Sequence, residues 1–157
     1  MARVNVGINP IYLADQHLIA ESVEITMITG GFRRHGYVIK SEAPSKFSFG
    51  KGHINFFKDK LLYLHRRLQA VNAEMVARGF SASTCIEDVL QEAPSQFVND
   101  WQPSQEDTNE IRERVASRLV NRADGRPGQG YYRYKRNYID DVENFSQELL
   151  KSNLYYV

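Results

Sequence analysis

The N-terminal part of the chain places two carboxylates and a histidine at helical spacing. Glu21 follows His17 by four residues and Glu24 follows it by seven. At 100° per residue, Glu24 lies about 20° and Glu21 about 40° from His17, so the three side chains share one helix flank beside Gln16. A carboxylate at the edge of a core has a raised pKa, which suits general acid/base chemistry. The alternative is a solvated polar face with a His17–Glu21 contact.

A second group of candidates is a row of arginines in the C-terminal half. Arg114, Arg118 and Arg122 recur at intervals of four residues. On a helix they form one cationic ridge, which suits contact with a phosphate backbone. The alternative is a solvated face on which these arginines pair with Glu110 and Glu113.

The third group interleaves aromatic rings with cations. Residues 130–138 include Tyr131, Tyr132, Arg133 and Lys135. Such a segment can stack on bases while it binds phosphates. An amphipathic packing segment is the alternative. His53 by itself is weak evidence, since a capping or core histidine is commoner than a functional one.

The net charge of +1 conceals an uneven charge distribution. Residues 1–80 carry a charge of +5, residues 81–110 −7, residues 111–138 +6 and residues 139–157 −3. Two basic blocks on one face would attract a polyanion such as nucleic acid. The alternative is that basic and acidic blocks neutralise each other within the globule.

Several classes of chemistry lack their motifs. The single cysteine, Cys85, excludes an intrachain disulfide, and no Cys/His zinc pattern is present. There is no phosphate-binding P-loop, nucleophile elbow or HExxH motif. We therefore expect neither a metal nor a cofactor. No apolar run approaches the roughly 18 residues of a membrane span, and the N-terminus lacks a signal-peptide core, so a cytoplasmic protein is expected.

The elements that position these groups are predicted to be helices. A first helix should begin at Asn9-Pro10 and end at Gly30-Gly31, followed by a basic loop over 32–52. A second should run over 53–78, with Gly79 as its C-terminal cap.

The C-terminal half is predicted to contain three further helices. A short helix should hold Ile86 and Val89, and a third long helix should begin at Thr108 or Asn109. Asp140 or Asp141 should cap a helix in the extension 139–157. Since period-2 alternation is lacking, no strand pair is expected. The fold class is all-α: a compact single domain over 1–157, with about three main helices, short helices, long loops and an extra C-terminal helix.

Specific blocks of the sequence resemble the small phage-type pyrimidine-dimer DNA glycosylase/AP lyases. They are Arg3-Val-Asn5, the ADQHL-x-AE block ending at Glu21 with Glu24 after it, and the GH-x-x-FF-x-DK block over 52–60. Arg78-Gly-Phe80 adds to the match, and the Arg114/Arg118 helix and the segment 131–135 match more loosely. The resemblance spans roughly residues 2–138.

The resemblance implies an all-α enzyme that excises a cyclobutane pyrimidine dimer from double-stranded DNA and then nicks the strand. Its nucleophile would be the α-amine of Ala2 after removal of Met1, and Glu24 would be the catalytic carboxylate. We expect a phage protein that acts as a monomer on damaged duplex DNA, without a membrane. The DNA-binding residues would be Arg3, Gln16, His17, Arg33, Arg34, His53, Arg114, Arg118, Tyr131, Tyr132, Arg133 and Lys135.

The chain departs from the family pattern beside Glu24. The family has R-E-L-P-R, whereas this chain has Val23-Glu24-Ile25-Thr26-Met27. Both flanking arginines are absent, and Arg33 and Arg34 are candidates to replace them. Two alternatives follow: the same imine chemistry on a different damaged or modified base, or a non-catalytic DNA-binding protein on this scaffold.

Overall fold

A computed structural model describes residues 3–38, 42–48, 50 and 52–157. Within them the fold is all-α, as predicted, with six α-helices and one small β-hairpin. The helices are α1 (Asp15–Arg34), α2 (Gly52–Phe57), α3 (Leu61–Ala77), α4 (Glu87–Glu92), α5 (Gln105–Val120) and α6 (Val142–Lys151). The hairpin pairs β1 (Arg133–Tyr134) antiparallel with β2 (Asn137–Tyr138), and 3₁₀ turns lie at Pro10–Tyr12 and Ser95–Phe97. In this part of the chain no helix is long and apolar enough to cross a membrane.

The first helix differs from its prediction at both ends. Asn9 caps only the 3₁₀ turn that Pro10 opens, and α1 begins later, at Asp15. The helix then continues through Gly30-Gly31 to Arg34. Phe32 is buried and packs edge-on against Phe97, with ring centroids 5.1 Å apart. Burial of this ring outweighs the helix cost of about 1 kcal/mol for each glycine.

The predicted helix over 53–78 is two helices, α2 and α3. Lys60 leaves the helical conformation and forms a β-bridge with Val98, which interrupts the helix between them. The predicted cap at Gly79 is confirmed, since this residue adopts φ +84° and its N–H donates to the carbonyl of Val76.

Of the two long helices in the C-terminal half, α5 begins earlier than predicted and α6 begins where predicted. Helix α5 begins at Gln105 because Ser104 and Asp107 form a reciprocal capping box, earlier than the predicted Thr108 or Asn109. Helix α6 is capped by Asp141, as predicted.

The absence of a strand pair was a wrong prediction, because β1 and β2 form a hairpin. Its turn residues Lys135 and Arg136 have φ of 50° and 72°. Asp15 at the start of α1 accepts hydrogen bonds from both of their N–H groups, at 3.1 and 2.7 Å. Strands of two residues are too short to give period-2 alternation, and the carboxylate that holds the turn is distant in sequence.

The N-terminal segment lies inside the protein rather than on its surface. Residues 4–8 are buried, and both the N–H and the side-chain amide of Asn5 donate to the Glu21 carboxylate, at 3.0 and 2.9 Å. Arg67 donates to the same carboxylate from Nε and Nη2, at 2.7 and 3.0 Å, and from Nη1 to the Ile8 carbonyl. Glu21 and Arg67 are fully buried. The N-terminal segment thus supplies the remaining hydrogen bonds of the buried ion pair and is held in place by them.

The same segment contacts α5 and the C-terminal extension. Gly7 has φ +71°, and a Cβ there would lie 1.9 Å from Thr108 Oγ1. The Gly7 carbonyl accepts a hydrogen bond from the Tyr155 N–H at 2.9 Å. Helix α6 also packs along α5. The extension over 139–157 therefore contacts both α5 and the N-terminal segment.

We predict a large difference between Arg67→Met and Arg66→Met. Removal of Arg67 leaves Glu21 charged and buried, so it should lower the free energy of unfolding by about 3–5 kcal/mol. Arg66 pairs with Asp100 at the surface, with 45% of its side chain exposed, so its replacement should cost at most about 1 kcal/mol. Urea denaturation followed by circular dichroism measures both. Equal losses would mean that the buried pair does not hold the segment.

Candidate functional site

Glu24 is a buried carboxylate at the edge of a cavity. It lies on α1 with 6% of its surface exposed and lines a cavity of about 270 Å³ with Met27, Phe32 and Ile54. Burial raises the pKa of Glu24, while the charges of Arg3 and Arg114 oppose that rise. The carboxyl group therefore holds a proton more readily than an exposed glutamate, as a general acid requires.

A cationic cleft of about 200 Å³ lies beside this helix. Burial lowers the pKa of Arg114, as do the charges of Arg3 and Arg118, because repulsion disfavours another cation there. An anion in this cleft would relieve the repulsion. The cleft is lined by Arg3, Asn5, His17, Ala20, Arg114, Val115, Arg118, Ala123 and Tyr132. The structure thus brings together five predicted site residues from the N-terminal segment, α1, α5 and the segment before β1.

His17 enters this cleft as a neutral imidazole. Burial, with a smaller effect from the Arg114 charge, lowers the pKa of His17 to about 4. Its ring lies 4.9 Å from that of Tyr132, and its buried Nδ1 has no hydrogen-bond partner among the described residues. The residue adds a polar atom to the cleft without adding charge.

His53 lies in the interior, 1% exposed, where it holds the N-terminal segment. Its Nε2 accepts a hydrogen bond from the Val4 N–H at 3.2 Å, and Nδ1 lies 3.0 Å from the Ser48 carbonyl, to which it donates. Burial lowers the pKa of His53 to about 4. His53 therefore anchors the segment that leads to Arg3.

Gln16 binds the aromatic segment to α1. Its Nε2 donates to the Tyr131 carbonyl at 2.8 Å, and its Oε1 accepts from the Arg133 N–H at 3.0 Å. The guanidinium of Arg122 lies over the Tyr131 ring at 3.7 Å. Lys135 is in the hairpin turn. The aromatic segment thus forms a face next to the cleft, and of its residues only Tyr132 is among those that line the cleft.

Arg33 and Arg34 lie at the far end of α1. Arg33 forms ion pairs with Asp88, at 2.6 Å, and with Glu92, both on α4. Arg34 is exposed. Neither arginine lines the cationic cleft as the described residues form it.

The predicted flank of α1 is divided among several environments. The alternative of a solvated face with a His17–Glu21 contact is wrong, because Glu21 is buried and bonded to Asn5 and Arg67. Arg67 was not predicted as a functional residue. Its signal was a cation at a core position, between Leu64 and Leu68 in the apolar periodicity of α3.

Ala2, the predicted nucleophile, lies outside the described residues. In the described ranges no three metal-ligating side chains cluster.

We predict that His53 makes stability depend on pH. Because its folded pKa is about 4 against an ordinary 6.5, the unfolded chain binds more protons between these values. Stability is therefore complete above pH 6.5 and falls as the pH drops toward 4. His53→Gln retains an acceptor and a donor but does not titrate, so it should reduce this loss by an amount on the order of 3 kcal/mol.

Urea denaturation at a series of pH values measures this effect. His35→Gln, at an exposed position just after α1, is the matched control and should retain the wild-type pH dependence. A parallel pH dependence for His53→Gln and wild type would contradict the assignment.

A comparison with known families identifies the family of this chain. The family model described as pyrimidine dimer DNA glycosylase matches residues 1–88, more than half of the chain. The match includes Arg3, His17, Glu24 and His53, and ends before the helix that carries Arg114. Members of such a family are DNA repair glycosylases that bind damaged DNA. The chain belongs to the pyrimidine dimer DNA glycosylase family.

Proposed function

We propose that this DNA glycosylase excises a cyclobutane pyrimidine dimer through an imine with the α-amine of Ala2, and then nicks the strand by β-elimination. The observation that carries the proposal is the buried Glu24 carboxyl with its raised pKa, within the electrostatic influence of Arg3 and Arg114. A proton donor beside cations suits a reaction on a sugar between two phosphates.

The α-amine is a suitable nucleophile. Its ordinary pKa is about 8, so a useful fraction is neutral at pH 7, whereas a lysine near 10.4 is almost wholly protonated. The described chain begins at Arg3, which lines the cationic cleft, and Val4 is held by His53. These contacts hold the chain up to Arg3, the residue that follows the proposed nucleophile in sequence.

The proposed reaction proceeds in two stages. The amine nitrogen bonds to the sugar C1′ as the C1′–N bond to the base breaks, and the base leaves with that electron pair and takes the proton that the attached nitrogen loses. Glu24 then protonates O4′ as the C1′–O4′ bond breaks, which leaves an iminium and a carboxylate. That carboxylate removes a C2′ proton, and the C3′–O bond breaks to release the 3′ phosphate.

The cationic cleft would hold the backbone phosphates of the damaged strand. Arg114 and Arg118 lie one turn apart on α5, and Arg3 joins them from the N-terminal segment. His17 and Tyr132 supply a neutral polar and aromatic wall. We further propose that residues 1–157 form one domain, supported by the packing of α6 on α5, and that this domain acts as a monomer.

We predict that Glu24→Gln retains DNA binding and loses strand cleavage. The amide preserves shape but neither donates a proton to O4′ nor removes one from C2′, so a loss of about 100-fold or more is expected. Gel-based nicking and a binding titration on the same duplex separate the two effects. Glu148→Gln, at an exposed position on α6, is the control. Wild-type nicking by Glu24→Gln would remove this residue from the mechanism.

We also predict that Arg118→Gln weakens binding to damaged and undamaged duplexes alike. Loss of one phosphate contact should reduce the slope of log K against log salt concentration by about 1. Arg66→Gln on α3 should leave the slope unchanged. A loss of discrimination between the duplexes, with the slope unchanged, would contradict a phosphate role.

The lesion itself is tested with three duplexes: one irradiated with ultraviolet light, one with an abasic site and one unmodified. Nicking of the first two supports the proposed substrate. Nicking of the abasic duplex alone favours the same chemistry on a different base, a candidate motivated by the exposed Val23 and Met27 where the family pattern has arginine. Binding without nicking of any duplex would contradict the proposed reaction.

A further inference from the structure

The outer face of α1 carries an exposed apolar row beside Glu24. Ile19, Val23 and Met27 recur at intervals of four residues, with 36%, 47% and 65% of their surfaces exposed. Each step of four residues rotates only about 40°, so the three side chains lie along one line. At 1.5 Å per residue the row is about 12 Å long. An apolar surface of this kind beside a functional site indicates a binding surface.

The apolar row connects two cavities. At one end, Met27 lines the cavity that holds Glu24, with Ile54 and Lys58 on its wall. At the other end, Ile19 lines a groove of about 460 Å³ whose wall includes Tyr131, Tyr138, Phe80, Arg133 and Arg136. Val23 lies between the two. Cations therefore occur at both ends of an apolar and aromatic path that passes the candidate catalytic carboxyl.

From this arrangement we propose that the apolar row binds unstacked nucleobases of the damaged strand. The inference rests on the proposed function and specifies how the lesion is recognised. An apolar path with cations at its ends complements a strand whose bases are apolar and whose phosphates are anionic. A length of about 12 Å is several times the rise of 3.4 Å between stacked bases, so the row is long enough to contact more than one base when their stacking is opened.

The row should prefer damaged DNA because base stacking is weakened at a lesion. In an intact duplex the base faces are covered by their neighbours, so an apolar side chain gains little from contact. At a lesion or abasic site stacking is already weakened, and apolar side chains that enter the step replace the lost contacts. The row therefore selects damaged over undamaged duplex without phosphate contacts, and its contribution to affinity is insensitive to salt.

The test uses the full chain with Val23→Thr and Met27→Gln combined. Both changes preserve side-chain shape at exposed helix positions and make the surface polar. The probes are a duplex with a tetrahydrofuran abasic analogue flanked by 2-aminopurine, and the same duplex without the analogue. Val76→Thr is the control, an exposed valine on α3 outside the row.

The double variant should bind the analogue duplex about tenfold more weakly and lose most of the 2-aminopurine fluorescence increase. Its affinity for the unmodified duplex and its salt slope should equal those of wild type. Wild-type affinity and fluorescence in the double variant would overturn the inference and leave the row to a protein partner. An equal loss on both duplexes would also overturn it, since it would mean no selection for unstacked bases.

A separate measurement distinguishes failure of this inference from failure of the proposed function. With a single-stranded abasic oligonucleotide at saturating concentration, no duplex must be unstacked. Wild-type protein should then be trapped by borohydride, which tests the imine without any change to the row. If wild type gives no adduct, the proposed imine fails, while the fluorescence comparison still decides the role of the row.

Discussion

The buried ion pair between Glu21 and Arg67 is the constraint on which the rest of the structure depends. Both side chains are withdrawn from water, and two such charges are stable only if their remaining hydrogen-bonding capacity is satisfied. The N-terminal segment completes the pair: Asn5 donates twice to Glu21, and the Ile8 carbonyl accepts from Arg67. Docking of the segment and burial of the pair therefore depend on each other.

This constraint links the core to the candidate chemistry through a single helix. Glu24 follows Glu21 by three residues on α1, so the position that fixes the N-terminal segment also fixes the carboxyl at the cavity. His53 adds a second anchor at Val4, one residue from Arg3 in the cleft. A nucleophile at the start of the chain has little intrinsic order, since terminal residues are normally mobile. Binding of residues 4–8 in the interior holds the chain that leads to the proposed nucleophile, and attack at one carbon depends on such positioning.

The sequence predicted the parts of this arrangement that depend on local rules. Helical periodicity and a family resemblance located Glu24 and the arginines of α5, and Asp141 was identified as a helix cap. Contacts between residues that are distant in sequence could not be predicted. Glu21 looked like a residue of the polar flank because its partner Arg67 lies on another helix. The hairpin went unpredicted because the carboxylate of Asp15, far away in sequence, holds its turn. Burial of Phe32 likewise carried α1 past two glycines that normally end a helix.

The proposed chemistry at the N-terminal α-amine is tested most directly by adduct mapping. The protein is reduced with borohydride in the presence of abasic duplex, digested, and sequenced by tandem mass spectrometry, with the intact mass read in parallel. The account predicts that Met1 is absent and that the sugar-derived mass lies on the α-amine of Ala2. An adduct on a lysine side chain, or an unmodified Ala2 in the covalently trapped protein, would contradict it.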